Sequence, residues 1–135
     1  MNVLTLPILT LKDQHEQSQS VGPDTRYLIF TAEKDASDLA EAALDGQTGE
    51  TLTAAGIRLV ADISAMPGMV TTMFALPKLR KRPYPILLGR HAADTRALPR
   101  EPGKVTVIAA DNGQVTAIHF LADVPALRVA VGLAS

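Results

Sequence analysis

Three acidic side chains, Glu33, Asp35 and Asp62, stand just beyond two apolar runs, with Lys34 between the first two. Carboxylates gathered at strand ends can hold a cation or move protons as general acid and base. Solvated loop acids are the simpler alternative. Ser37 would need an adjacent base and an oxyanion site to act as a nucleophile, and its place before a helical run already explains it as an N-cap. His15, His91 and His119 are widely spaced and form no H-x-H or H-E-x-x-H pattern, so they point to no zinc site. His15 and His91 fit loops, and His119 fits one face of a hairpin. Lys78, Arg80, Lys81 and Arg82 form a basic cluster around Leu79. Such a cluster can dock an acidic partner, an anionic lipid surface or a phosphate, or it can simply complement a helix C-terminus.

These residues need elements to position them. Tyr27 to Thr31 has the unbroken apolar character of a strand buried on both faces, and Ile57 to Ile63 reads as the second central strand. Glu33, Lys34 and Asp35 follow the first run, and Asp62 ends the second, on the side where open α/β sheets place ligands. Between the runs, Leu39, Ala40, Ala43 and Leu44 have helical spacing, with Asp38 and Glu41 expected in the first turn. Gly46 and Gly49 interrupt that helix, Thr51 to Ala55 adds a turn or two, and Gly56 closes it. Pro67 predicts a helix start, after which Met69, Val70, Met73 and Phe74 share one face. The methionines Met66, Met69 and Met73 read as core filler, and Pro77 is expected to kink or end the helix.

The remaining chain reads as follows. Leu4 to Leu11, broken by Pro7, is an edge strand or irregular lead-in, and Lys12 to Ser20 is polar and turn-rich. Ile86 to Leu88 is a short buried strand, Ala92 to Leu98 one or two helical turns, and Leu98 to Gly103 a loop. Lys104 to Ala110 and Gln114 to Phe120 flank Asn112-Gly113, a strong signal for a type I′ hairpin. Asp123 and Pro125 open a closing helix that runs to Val131, with Gly132 at its end. Strand and helix alternate, so the fold class is α/β: a mixed sheet with helices on both faces, right-handed parallel crossovers, a C-terminal β-hairpin and a closing helix. One domain spanning residues 1–135 is expected.

Composition excludes several functions. The chain has no cysteine, hence no disulfide, no thiolate nucleophile and no cysteine metal site. Apolar residues make up 47% and charged residues 20%, as in ordinary globular proteins. A formal charge of −1 argues against a general nucleic-acid binder. Three Phe, two Tyr and no Trp leave little surface for stacking on bases, flavins or sugars. No run approaches the roughly 20 apolar residues of a membrane span, and the N-terminus lacks the basic region and cleavage site of a secretory signal. No cofactor or metal is implied.

The order Leu9 to Gln14 (LTLKDQ), YLIFT, LVAD, PYPILLG, ADTRAL and KVTVIAADNGQVTAIHF resembles the thioredoxin-like superfamily in its peroxiredoxin and thiol oxidoreductase form. In active members a cysteine stands just after the first central strand, and the matching segment here is Ala32-Glu33-Lys34-Asp35-Ala36-Ser37. The resemblance therefore implies a redox-inactive member, a binding or accessory module whose partner is another protein, with the oligomeric state open. It also implies a periplasmic location, the cytoplasm being the alternative. Pro102 lies near, though offset from, the place where the family carries a cis-proline, making Glu101-Pro102 a candidate cis bond. A different reading is a cysteine-independent enzyme or small-ligand or metal-binding protein using the strand-end carboxylates. The chain is also similar to small exported proteobacterial proteins often labelled FAD/FMN-containing dehydrogenase. Its residues give that label no basis, because no G-x-G-x-x-G follows a strand.

Overall fold

The computed structural model describes residues 5–133. Its centre is a sheet of five strands in the order β5-β4-β3-β6-β7. Here β3 is Tyr27–Thr31, β4 Ile57–Asp62, β5 Leu87–Gly89, β6 Val105–Asp111 and β7 Gln114–Leu121. Strands β3, β4 and β5 run parallel, while β6 and β7 are antiparallel additions on the β3 side. The central strands are mostly apolar because both faces of the sheet are covered. Ile29, Leu59, Leu88 and Val107 point to one core; Leu28, Phe30, Val60, Leu87 and Ile108 point to the other. Each such side chain stabilises the fold by roughly 1.5–3 kcal/mol on full burial.

The first core is closed by α1 (Lys34–Ala43), α2 (Gly49–Ala55), the end of a composite helix after β4, and α5 (Val124–Ala130). The second is closed by an antiparallel hairpin of β1 (Leu9–Lys12) and β2 (Ser18–Val21), through Val21, Leu9 and Leu11, together with Leu98. A short 3-10 helix, Ala92–Thr95, follows β5. The hairpin turn between β6 and β7 has φ of 50° at Asn112 and 82° at Gly113, as a type I′ turn requires. Leu6 donates its N–H to the Gly113 carbonyl at 2.7 Å, which ties the lead-in to that turn. Leu4, where the lead-in was expected to start, lies outside the described residues.

Five expectations need correction. The polar stretch Lys12 to Ser20 is no simple turn: it contains the start of β2, and Asp13 and Gln14 are buried. Asp13 organises the connection by accepting from the His15 and Gln17 N–H groups at 2.8 and 3.0 Å and from the Gln19 amide at 2.9 Å. Gln14 is fully buried; its amide donates to the carbonyls of Leu79 and Tyr84 at 3.2 and 2.8 Å and its oxygen accepts from the Ile86 N–H at 2.8 Å. Ser37 is not an N-cap, because α1 begins earlier, with Glu33 as N-cap; the Ser37 N–H donates to the Glu33 carbonyl. Glu41 consequently falls in the second half of α1, where it is buried, rather than in the first turn.

Pro77 does not end its helix, which continues to Leu79. The rod consists of α3 (Gly68–Val70), a π segment (Thr71–Ala75) and α4 (Leu76–Leu79). In the π segment the Leu76 N–H reaches back five residues to the Thr71 carbonyl. That register shift accommodates a proline that has no N–H to give. It also brings Thr71 and Leu76, both buried, into line on the inner side. Met69 and Met73 therefore face outward and are not core filler, whereas Met66 is partly buried against the core. Finally, no peptide bond among the described residues is cis. Glu101 to Lys104 forms a tight turn closed by Lys104 N–H to Glu101 C=O at 3.2 Å, with φ of 75° at Gly103. This is a type II turn, for which a trans proline at the second position is well suited.

Candidate functional site

The carboxyl-terminal ends of β3 and β4 meet the loop before β6, and there the structure assembles a group of polar side chains. Asp62, the last residue of β4, accepts the Ser64 N–H at 2.8 Å through Oδ1. Its Oδ2 accepts the Thr95 hydroxyl at 2.9 Å and the Arg100 guanidinium at 3.0 Å. Arg100 also donates to the Thr95 carbonyl at 2.9 Å and stands 4.7 Å above the Phe30 ring, a cation–π contact. Thr95 is fully buried, and it reaches Asp62 because Gly89 has no side chain; a Cβ on Gly89 would lie 2.8 Å from the Thr95 methyl.

The electrostatics follow from these contacts. Burial works to raise the Asp62 pKa, but hydrogen bonds from Ser64, Arg100 and Thr95 together hold it below the ordinary carboxylate value. Asp62 is thus an anion with its donors in place, poorly suited to take a proton at neutral pH. Beside it, Glu33 accepts the Gly103 N–H at 2.7 Å, and Lys104 pairs with Glu101 at 3.3 Å. Phe30, Ala32, Glu33, Arg100, Pro102 and Thr106 help to line a shallow cavity of about 240 Å³.

The expected strand-end residues therefore part company. Glu33 and Pro102 line one cavity, and Asp62 connects to it through Arg100. Lys34 turns away and pairs with Asp38 at 3.0 Å on the surface of α1, and Asp35 lies exposed in the first turn of that helix. Among the described residues no group of three or more His, Asp or Glu side chains is placed to hold a metal ion. Arg100, Thr95 and Phe30 were not singled out in the sequence. Arg100 lay within the loop read from Leu98 to Gly103, Thr95 within the helical turns read from Ala92 to Leu98, and Phe30 within the first apolar run.

The basic cluster is divided by the fold. Lys78 pairs with Asp38 at 3.2 Å, and Arg82 pairs with the buried Glu41 at 2.6 Å. Arg80 donates through Nε to the Gln14 carbonyl at 2.9 Å, while Lys81 is exposed. The hydrogen bond to Glu41 is the main reason the Arg82 pKa is raised. Next to this pair, burial foremost and the Glu41 charge second push the Tyr84 phenol up to about 12.

No family model matches the chain, and no curated protein matches it. Solved structures do. A structure described as a thiol:disulfide interchange protein, DsbE, from Chlorobium tepidum superposes with a TM-score of 0.65 at 18% identity, covering 97% of this chain and 95% of that one. Peroxidoxin BcpB from Mycobacterium tuberculosis gives 0.61 at 13% identity, over 97% and 94% of the two chains. The exposed lipoprotein thioredoxin Etrx1 from Streptococcus pneumoniae gives 0.58 at 15%, over 84% and 88%. The fold is thus thioredoxin-like, and the chain that adopts it contains no cysteine. The likeness to proteins labelled FAD/FMN-containing dehydrogenases is unsupported. No helix among the described residues is long and apolar enough to cross a membrane.

Proposed function

We propose that this chain is a redox-inactive thioredoxin-like module that works by binding, as an accessory to another protein. One observation carries the reading: the strand end that would need a thiolate has no cysteine near it, and the neighbouring Asp62 is committed to Arg100, Thr95 and Ser64. A group already supplied with strong internal partners adds stability and shape rather than reactivity. Disulfide-reductase and peroxidase assays on the purified chain test this directly. Turnover above that of a boiled control would overturn it.

A cysteine-independent enzyme or ligand-binding protein using Glu33, Asp35 or Asp62 with His91 or Lys34 is the second reading, favoured by the cavity beside Glu33 and Arg100. Against it stand the Lys34–Asp38 pair and the commitment of Asp62. Thermal-shift measurements with divalent metals and small metabolites separate the two, since only the second reading expects a shift. A periplasmic location belongs to the proposal, with the cytoplasm as alternative. The likeness to an exposed lipoprotein thioredoxin lends it support, and cell fractionation with an antibody to the chain tests it.

A further inference from the structure

The composite helix from Gly68 to Leu79 leaves four large apolar side chains in water. Met69 is 72% exposed, Val70 40%, Met73 61% and Phe74 67%. Single exposed apolar residues are ordinary, but four on successive turns of one helix form a patch. No charged residue lies between Asp62 and Lys78. Arg80 and Lys81 follow directly after Leu79, the last helical residue, and both are exposed. Neither has a carboxylate partner among the described ion pairs, and the Arg80 contact to the Gln14 carbonyl leaves its charge uncompensated.

We propose that this helix docks on a membrane surface, laying Met69, Val70, Met73 and Phe74 into the interface of a bilayer whose anionic headgroups meet Arg80 and Lys81. An apolar face with cations at one end is the pattern of helices that lie in the plane of a bilayer. The shape favours a lipid surface over a peptide. A peptide ligand is held in a groove or along a strand edge, whereas these side chains project from a helix whose residues 67–70 and 72–74 are all exposed. The size disfavours a second copy, because a stable dimer buries about 800 Å² on each partner, more than four side chains supply. Docking of this kind is independent of whether the module is redox-inactive.

Flotation of the full chain with vesicles of phosphatidylcholine alone, and of phosphatidylcholine containing phosphatidylglycerol, tests the proposal. The expected result is co-flotation with the anionic vesicles that weakens as salt rises. A Met73→Ser/Phe74→Ser double variant should bind about tenfold less, and Lys81→Ala about fivefold less. Circular dichroism before and after heating verifies that the variants fold. Failure of the wild-type chain to float with anionic vesicles, or equal binding by folded variants, would overturn the proposal. So would light scattering that finds a dimer which the double variant dissolves, since the patch would then belong to a second copy.

Discussion

The strand-end cluster around Asp62 and the helix from Gly68 to Leu79 are consecutive in the chain and opposite in design. At Asp62, each polar atom that leaves water finds an internal partner: Ser64, Thr95 and Arg100 supply three donors to one carboxylate. On the helix, Met69, Met73 and Phe74 find none and stay in water. Removing a hydrogen-bond partner from buried groups is costly, while trimming an exposed apolar side chain costs the fold almost nothing. Substitutions in the first region should therefore cost stability. The second is free to serve a partner surface. Chemistry was expected where the carboxylates are, yet the unsatisfied surface lies on the neighbouring helix.

Four measurements can break or sharpen this contrast. The largest effect belongs to Gln14, the most enclosed of the polar groups. Gln14→Ala leaves the Leu79 and Tyr84 carbonyls and the Ile86 N–H without their partner and should destabilise the fold by about 3–4 kcal/mol in urea unfolding. A loss below 1 kcal/mol would mean that water replaces the amide and the region is more open than described. Asp62→Ala comes next, at about 2–3 kcal/mol, because Arg100 and Thr95 lose their acceptor; the same variant should retain any vesicle binding.

Acid and alkali provide the third measurement. The folded pKa of Asp62 is depressed, so its contribution is present above the unfolded value of about 4 and is lost as pH falls through the folded value. Asp62→Asn should flatten that part of the stability profile. Tyr84 has the opposite sign, with a folded pKa raised to about 12. Its contribution is complete below about pH 10 and disappears as pH rises towards the folded value. Ultraviolet titration should show one phenol ionising late. If the Tyr84 phenol, identified by its loss in Tyr84→Phe, ionises near 10, the burial of Tyr84 is wrong. The smallest effect is at Phe74: Phe74→Ser should change unfolding free energy by no more than about 0.5 kcal/mol, and a larger loss would place Phe74 in the core after all.

Much of the fold was legible before any coordinates. The alternation of apolar runs and helical spacing predicted β3, α1, β4 and the later strands, and Asn112-Gly113 marked the hairpin because few residues accept positive φ twice in succession. Less of the site was legible. Asp62 was found from its place at a strand end, but Arg100 and Thr95 lie more than thirty residues further on and share no local pattern with it. Gln14 was hidden in a polar stretch whose composition suggests solvent. Its burial depends on backbone groups of residues 79–86, which no window around Gln14 contains.

The sequence by itself determined the class of fold, through periodicity, and ruled out thiol chemistry, through the absence of cysteine. Only the tertiary structure decided which faces are covered. Helical spacing places Met69, Val70, Met73 and Phe74 side by side, but whether that side meets the sheet or water depends on the π segment that turns Thr71 and Leu76 inward. Likewise, four neighbouring cations at residues 78–82 read as one patch until Asp38 and Glu41 pair with Lys78 and Arg82 and leave Arg80 and Lys81 with no carboxylate partner among the described ion pairs. Local pattern follows from bonds between near neighbours; partnership follows from where distant segments come to rest.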